Sequence, residues 1–187
     1  MSPATAKFIL TKIMGWTLDE SPIADPKCVI VGFPHTCIED FFVYALYMRA
    51  LGERATVMMK KEFFVWPLSI LLNHWGVIRT DRSRGAGALK HCIDEFSRRD
   101  VLKLSLSPEG TRKAVKNWKT GFHIIAREAG VPVYLGYYDW AHKYITHGVP
   151  FPLTDNSRED IRRIQQFYKS SPASAKYPDR VAYMDGI

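Results

Sequence analysis

Apolar segments typical of buried β-strands alternate with segments of helical spacing along most of this chain. The clearest strand pattern, CVIVG at 28–32, is rich in β-branched residues and is followed by Phe-Pro, a turn signal. Helical spacing follows at 38–51, and Gly52 marks the end of that helix. Further strands are predicted at 55–59, 77–78, 101–106, 131–136 and 144–146, with helices at 62–75, 85–99, 120–129 and 157–168. This order predicts an α/β sheet that is covered by helices.

The length and the apolar content of the chain fit a single globular domain over 1–187. The 187 residues are 47% hydrophobic, and a chain of this length buries about two-thirds of its unfolded surface. No internal repeat, low-complexity tract or linker interrupts the sequence before a polar tail at about 170–187. In the last predicted helix, Ser157 and Asp160 form an S-x-x-D pattern, a weaker variant of the capping box. The sequence therefore predicts one domain whose final helix opens with this box.

The charge balance favours an anionic partner. Lys and Arg number 26 against 19 Asp and Glu, which gives a net charge of +7. A phosphorylated metabolite, a coenzyme or an anionic membrane surface would suit this excess, and so would nucleic acid. The basic residues are scattered, however, and no known nucleic-acid-binding motif is present. We therefore expect no nucleic-acid partner.

The cysteines and the N-terminal residues predict a cytoplasmic protein. Cys28, Cys37 and Cys92 are odd in number and form no C-x-x-C pair, so neither a disulfide framework nor a zinc knuckle is indicated. The first twenty residues contain an apolar stretch that two lysines interrupt, unlike the h-region of a signal peptide. The longest apolar windows, such as 63–72, are shorter than the roughly 20 residues that cross a bilayer. If the protein meets a membrane, we expect it to lie on the surface.

Polar side chains follow two of the predicted strands. In open α/β sheets, ligands bind beyond the carboxyl ends of the strands. His35 lies just past the strand at 28–32, and the segment SPEGTR at 107–112 lies just past the strand at 101–106. These two positions therefore form the candidate functional site.

His35 and Asp40 are a candidate general base and its orienting carboxylate. A histidine can take up a proton near neutral pH, and an adjacent carboxylate fixes its tautomer and stabilises the imidazolium. Residues five apart on a straight helix differ by about 140° in direction, so these side chains meet only if His35 precedes the helix. Pro34 favours that arrangement because it places His35 at a strand-to-helix corner. Glu39 is a rival partner, and a surface histidine at a helix start is the alternative.

The segment SPEGTR has the residue types of an anion site. Gly110 lets backbone N–H groups approach a ligand, Thr111 adds a hydroxyl donor, and Arg112 can bind a phosphate with two hydrogen bonds. The alternative is an ordinary surface turn with a solvated arginine. Taken alone, neither this segment nor the histidine pair decides between function and chance.

Together, the motifs resemble those of the glycerolipid acyltransferases, the family of the 1-acylglycerol-3-phosphate acyltransferases. The match is by blocks in the family's order: HTCIED at 35–40 matches H-x-x-x-x-D, GVIRTDR at 76–82 resembles G-x-I-x-x-x-R, PEGTR at 108–112 matches P-E-G-T-R, and VPV at 131–133 resembles V-P-[IV]. A connecting KKEFF at 60–64 with Pro67 is also similar, so the resemblance covers about 25–155. The chain departs from the family at Pro34, where asparagine is common, and at Lys113, where serine is usual.

The resemblance implies a single acyltransferase domain with a mixed, mostly parallel sheet. It implies transfer of a fatty acyl group from a thioester, on coenzyme A or acyl carrier protein, to a hydroxyl of a lysophospholipid or glycerol phosphate, with 1-acylglycerol-3-phosphate as the favoured acceptor. His35 would be the general base, and Asp40 would support it. Glu109 would receive hydrogen bonds from an acceptor hydroxyl or from neighbouring backbone and arginine groups. The acceptor phosphate would be held by Arg82, Gly110, Thr111 and Arg112.

The implied reaction needs no metal ion and no cofactor besides the acyl thioester. It needs no acyl-enzyme either, so Cys37 is expected to be a small buried residue rather than a nucleophile. A metal hydrolase that uses His35, Asp40 and other histidines would need a spacing such as H-E-x-x-H, which the sequence does not contain. A catalytically silent lipid- or anion-binding protein of the same fold is the main alternative.

A membrane contact is predicted for the apolar segment at 63–75. It is apolar on nearly every side and has tryptophans near its ends, as interfacial helices do. Basic residues flank it, so a peripheral contact with the inner face of the membrane is expected. A set of apolar residues in the preceding helix is expected to be core, with an acyl channel as the alternative: Phe41, Phe42, Ala45, Leu46 and Met48.

Overall fold

The computed structural model describes residues 1–60, 62, 64–67, 69–70, 72, 75, 77–80, 85–115 and 117–183. Within these residues, a sheet of seven strands lies between helices. The strands are β1 (Thr17–Leu18), β2 (Lys27–Phe33), β3 (Thr56–Lys60), β4 (Ile78–Thr80), β5 (Leu102–Leu106), β6 (Val133–Asp139) and β7 (Tyr144–Phe151). The helices are α1 (Pro3–Phe8), α2 (Glu39–Ala50), α3 (Gly85–Arg98), α4 (Gly121–Ala129) and α5 (Ser157–Ser170), with a π-helical turn at Ile9–Ile13 and a 3-10 turn at Pro178–Arg180.

The sheet is mixed and mostly parallel, as the resemblance implied. Its strand order is β1-β7-β6-β2-β5-β3-β4, and β6 with β7 is the antiparallel pair. β2 lies at the centre and pairs in parallel with β5 and β6. The carboxyl ends of these three strands therefore meet at one edge of the sheet, where ligands bind in open α/β sheets.

The central strand β2 is buried on both faces. Val29, Val31 and Phe33 pack into an apolar cluster with residues of α3, α4 and α5. Cys28 and Ile30 point to the opposite face and pack against α2 and the N-terminal residues. Because side chains alternate along a strand, one short apolar run supplies both clusters. Full burial of each large side chain contributes about 1.5–3 kcal/mol, which holds the start of the following corner firmly in place.

The predicted α/β class is confirmed, and each predicted strand is present with shifted ends. The largest difference in length is at the strand predicted at 144–146, because β7 extends to Phe151. The helix predicted at 62–75 lies largely outside the described residues, although Ser69, Ile70 and Leu72 are helical. No helix of the described residues is both long and apolar enough to cross a membrane.

The prediction that an S-x-x-D box opens the last helix is wrong. Asn156 is the N-cap of α5, and its side-chain oxygen accepts hydrogen bonds from the backbone N–H groups of Arg158 (3.1 Å) and Glu159 (3.2 Å). Asp160 instead accepts a hydrogen bond from the backbone of Thr154 at 2.7 Å. Asparagine and serine are both good N-caps, so neighbouring candidates cannot be separated by residue type.

Candidate active site

His35 lies at the corner between β2 and α2, outside the regular helix. β2 ends at Phe33 and α2 begins at Glu39. Nδ1 of His35 lies 3.2 Å from Oδ2 of Asp40, which is in the first turn of α2 and fully buried. The histidine side chain is 29% exposed, and no hydrogen bond from the described part of the chain reaches its Nε2. The geometry that a base and its carboxylate require is therefore present.

Glu39, the rival partner for the histidine, binds a different cation. Its Oε1 accepts a hydrogen bond from Nζ of Lys176 at 2.8 Å. This hydrogen bond lowers the pKa of Glu39 to about 2. The carboxylate that faces His35 is consequently Asp40, and the open choice between the two acids is resolved by geometry.

Asp40 is ionised and held on both of its oxygens. Oδ2, besides facing His35, accepts hydrogen bonds from the backbone N–H groups of Thr36 (2.8 Å) and Cys37 (3.0 Å). Oδ1 accepts hydrogen bonds from the thiol of Cys37 (3.2 Å) and the indole of Trp140 (2.9 Å). Burial alone would raise the pKa of Asp40, but the hydrogen bonds from His35 and Cys37 outweigh it and lower the pKa below its usual value. A fixed carboxylate of this kind can stabilise an imidazolium.

Cys37 is a buried thiol, as predicted. It is 4% exposed. Burial, and then the nearby charge of Asp40, raise the pKa of Cys37 to about 12. Since the thiolate is the nucleophilic form of cysteine, a thiol that stays protonated at neutral pH is not poised to attack a thioester.

Glu109 links the two predicted motifs from inside the protein. It is 1% exposed, and its Oε2 accepts hydrogen bonds from the backbone N–H of His35 (2.8 Å) and the hydroxyl of Ser107 (3.1 Å). Its Oε1 is buried without a hydrogen-bond partner among the described residues. Burial raises the pKa of Glu109 to about 7. The backbone contact is among those expected for Glu109, and an acceptor hydroxyl stays a prediction.

The P-E-G-T-R loop follows β5 and turns at Gly110. The φ angle of Gly110 is +63°, a left-handed conformation that residues with a Cβ rarely adopt. Its N–H donates to the carbonyl of Ser107 at 3.1 Å, so the glycine serves the turn rather than acting as a free donor. The side chain of Lys119 lies across it: a Cβ added at Gly110 would stand 2.8 Å from Cδ of Lys119.

The same loop presents cationic side chains to solvent. Arg112 and Lys119 are exposed, and neither forms an ion pair with another residue that the structure describes. Thr111 is half-buried. The predicted partner Arg82 lies outside the described residues. The arrangement suits an anion, because two uncompensated cations stand beside a loop tied to His35 by Glu109.

Residues 174–183 cover the HTCIED corner. They belong to the stretch at about 170–187 that the sequence predicts to be a polar tail. A guanidinium N–H of Arg180 donates to the carbonyl of Thr36 at 3.0 Å. The ring of Tyr183 packs 5.5 Å from that of Phe33. Two tyrosines in an otherwise polar tract are the sequence signal for this packing. The segment therefore forms a wall of the candidate site.

The structure also contains two further His–Asp contacts, His123 with Asp160 and His142 with Asp139. Among the residues that the structure describes, no three His, Cys, Asp or Glu side chains come together in a way that could hold a metal ion.

The chain matches the model of the family described as Acyltransferase over residues 19–135. This stretch runs from before β2 into β6 and includes the histidine corner and the P-E-G-T-R loop. Because the match covers more than half of the chain, the chain belongs to the acyltransferase family. The family predicted from the sequence is thereby confirmed.

A solved structure with the same fold is the crystal structure of the 1-acyl-sn-glycerophosphate (LPA) acyltransferase, PlsC, from Thermotoga maritima. The TM-score is 0.62 at 14% sequence identity, and the alignment covers 94% of this chain and 80% of that chain. At this identity the likeness shows the fold, and it confirms the α/β architecture expected from the motifs. No curated protein is significantly similar to the chain in sequence.

Proposed function

We propose that this protein transfers a fatty acyl group from an acyl thioester to a hydroxyl of a lysophospholipid or glycerol phosphate, with 1-acylglycerol-3-phosphate as the favoured acceptor. The observation that carries the proposal is the His35–Asp40 pair, in which Asp40 binds Nδ1 and Nε2 is left for a substrate. Membership of the acyltransferase family supports acyl transfer. The fold shared with an LPA acyltransferase supports this class of acceptor.

In the proposed reaction, His35 moves one proton from the acceptor to the leaving group. Nε2 takes the proton of the acceptor hydroxyl, and the oxygen attacks the thioester carbonyl. An ester bond forms, the carbon–sulfur bond breaks, and the thiolate leaves with the proton from the imidazolium. Asp40 keeps Nδ1 protonated and stabilises the imidazolium between these two steps. General-base catalysis of this kind is typically worth about 100- to 10,000-fold.

The acceptor phosphate is proposed to bind at the P-E-G-T-R loop. Arg112 supplies a guanidinium and Thr111 a hydroxyl, and the family resemblance adds Arg82. Hydrogen bonds between charged groups are roughly twice as strong as neutral ones, so these residues would fix the position of the phosphate. Glu109 does not oppose binding strongly, because a pKa of about 7 leaves it partly protonated at neutral pH.

A peripheral membrane contact is proposed for the exposed apolar residues of 65–70, on the inner face of the membrane. Val65 is 59%, Trp66 81% and Ile70 64% exposed. Large apolar side chains exposed together mark interaction surfaces, and tryptophan suits the boundary between lipid and water. The net charge of +7 favours anionic lipids.

The proposed activity is tested with purified protein, palmitoyl coenzyme A or palmitoyl acyl carrier protein, and vesicles that contain a panel of lysophospholipids. Free thiol and acylated lipid are followed in parallel for wild type, His35→Ala and His142→Ala. We expect product from wild type and His142→Ala and none from His35→Ala. Lipid binding without turnover, unchanged in His35→Ala, would instead establish the silent lipid-binding alternative.

The membrane contact is tested separately by flotation with vesicles that contain anionic phospholipid. Val65→Ser and Trp66→Ser are expected to weaken binding. Val101→Ser is the matched control, because Val101 is 58% exposed and lies outside this surface, before β5. Equal flotation of all three variants and wild type would reject the proposed contact.

A further inference from the structure

Trp140 brings a hydrogen-bond donor to the candidate active site from the end of the neighbouring strand β6. It directly follows β6, whose residue Tyr137 is level with Phe33 at the end of β2. The two carboxyl ends are therefore adjacent, and the indole Nε1 of Trp140 donates to Oδ1 of Asp40 at 2.9 Å. The two partners are 100 residues apart in the chain.

The indole is fixed by neighbours from other parts of the molecule. Its ring meets that of Trp16 edge to face, with centroids 4.9 Å apart at 83°. The backbone N–H of Trp140 donates to the carbonyl of Ser174 at 3.2 Å, and the ammonium of Lys176 lies 5.2 Å over the ring. A donor held by packing and by the backbone points in one direction and does not have to be ordered during a reaction.

We propose that Trp140 is a positioning residue: its indole N–H holds the Asp40 carboxylate in the rotation that turns Oδ2 towards Nδ1 of His35. The inference rests on the proposed acyl transfer. Besides Trp140, Oδ1 has the Cys37 thiol, which is a weak donor at 3.2 Å. Oδ2 already receives the backbone N–H groups of Thr36 and Cys37. Without the indole, Oδ1 keeps only the weak thiol donor, so the carboxylate is held less tightly in the rotation that faces the histidine.

The test is Trp140→Phe, which removes the N–H and keeps an aromatic ring. Loss of one hydrogen bond to a charged group is expected to lower kcat about tenfold, with KM within about twofold. Tyr134→Phe is the control, because the Tyr134 hydroxyl also donates to a carboxylate, that of Asp25 at 2.7 Å, which precedes β2 at the opposite end from His35. We expect Tyr134→Phe to lower the melting temperature but to leave kcat within about twofold of wild type.

Two readouts separate positioning from a purely structural role. In an Asp40→Ala background, Trp140→Phe should cause no further loss of kcat, because its effect passes through the carboxylate. The proton on Nδ1 of His35, which is hydrogen-bonded to Asp40, should give a downfield NMR signal that weakens in Trp140→Phe and is lost in Asp40→Ala. An unchanged signal, or losses that multiply in the double variant, would overturn the proposal. The NMR readout needs no turnover. If the protein has no acyltransferase activity, the proposed function is refuted, and the NMR measurement still tests whether Trp140 positions Asp40.

Discussion

Two histidine–aspartate pairs in this protein have almost the same contact distance and different surroundings. The histidine nitrogen lies 3.2 Å from the carboxylate in His35–Asp40 and 3.1 Å in His123–Asp160, and both aspartates are fully buried. His35 uses Nδ1 and is 29% exposed. His123 uses Nε2 for Asp160 and for the carbonyl of Thr154 at 3.0 Å, and it is 8% exposed.

The difference shows that the contact alone does not define a catalytic site. Asp160 also binds the backbone and hydroxyl of Thr154 and the guanidinium of Arg163, so its charge fastens a loop to α5. Asp40 is satisfied by its own corner and by Trp140, and no hydrogen bond from the described part of the chain reaches Nε2 of His35. Greater exposure of the histidine, at the carboxyl edge of the sheet, separates the first pair from the second.

The largest effect is expected from removal of the two histidines. His35→Ala should lower kcat by about 100- to 10,000-fold and leave the melting temperature close to wild type, because it removes a base and no core contact. His123→Ala should do the reverse, with a lower melting temperature and wild-type kcat for the folded fraction. Initial rates and thermal unfolding of both variants check this. A loss of kcat shared by both would remove the distinction between the pairs.

The second prediction replaces the carboxylates. Asp40→Asn should lower kcat about 1,000-fold, because a neutral amide neither stabilises the imidazolium nor selects the tautomer. Asp160→Asn should cost about 3 kcal/mol of unfolding free energy, because it replaces one accepting oxygen by an NH2 group and removes the charge that pairs with Arg163. Urea unfolding with kinetics on the same samples measures both quantities. If Asp160→Asn lowers kcat but leaves the unfolding free energy unchanged, the second pair takes part in the reaction and the comparison fails.

The third prediction concerns Glu109. Its buried carboxyl group binds the backbone N–H of His35 and not a histidine ring. Because its pKa is raised from 4.5 to about 7, the folded state binds more protons than the unfolded state between these values. Unfolding free energy should therefore fall as pH rises from about 4.5 to about 7, by about 3 kcal/mol from this group. Asp40 has the opposite effect on the free energy of unfolding. Because its pKa is lowered in the folded state, ionised Asp40 stabilises the fold at pH values above the usual aspartate pKa, and this stabilisation is lost in acid.

Glu109→Gln sharpens that prediction, since glutamine keeps an acceptor for the His35 N–H and cannot ionise. Unfolding free energy measured at several pH values should lose the decline between about pH 4.5 and 7 in this variant. An identical decline in wild type and Glu109→Gln would assign it to another group.

The smallest effect is expected at the third pair. His142 lies 2.7 Å from Asp139, but its side chain is 79% exposed. His142→Asn should change unfolding free energy by less than about 0.5 kcal/mol and leave kcat unchanged, because solvent screens an exposed pair. A marked loss of activity would show that this histidine takes part in the reaction, despite its exposure.

Local patterns carried most of the fold prediction. The run at 28–32 is apolar at odd and even positions alike, which predicts a strand buried on both faces. β2 is such a strand, so five consecutive residues were enough to predict it. The helix α1 was not predicted, because six residues with one buried alanine show no apolar periodicity. The length of β7 was missed because its second half contains Gly148 and Pro150, which are poor strand residues.

The candidate site was predictable only where its parts are close in sequence. His35 and Asp40 lie in one short motif, and the proline before the histidine indicated how they meet. The contact of Glu109 with the His35 backbone spans 74 positions, and that of Trp140 with Asp40 spans 100. Contacts at such separations depend on strand order and register, which no local pattern contains.

The hydrogen bond from His35 to Glu109 uses the peptide group of the histidine, not its ring. Any substitution at this position except proline keeps that N–H, so His35→Ala should retain the corner and the P-E-G-T-R loop in their present relation. Such a variant would be inert yet fully assembled. It is the natural starting material for trapping acyl donor and acceptor side by side in a crystal, where an active enzyme would consume both.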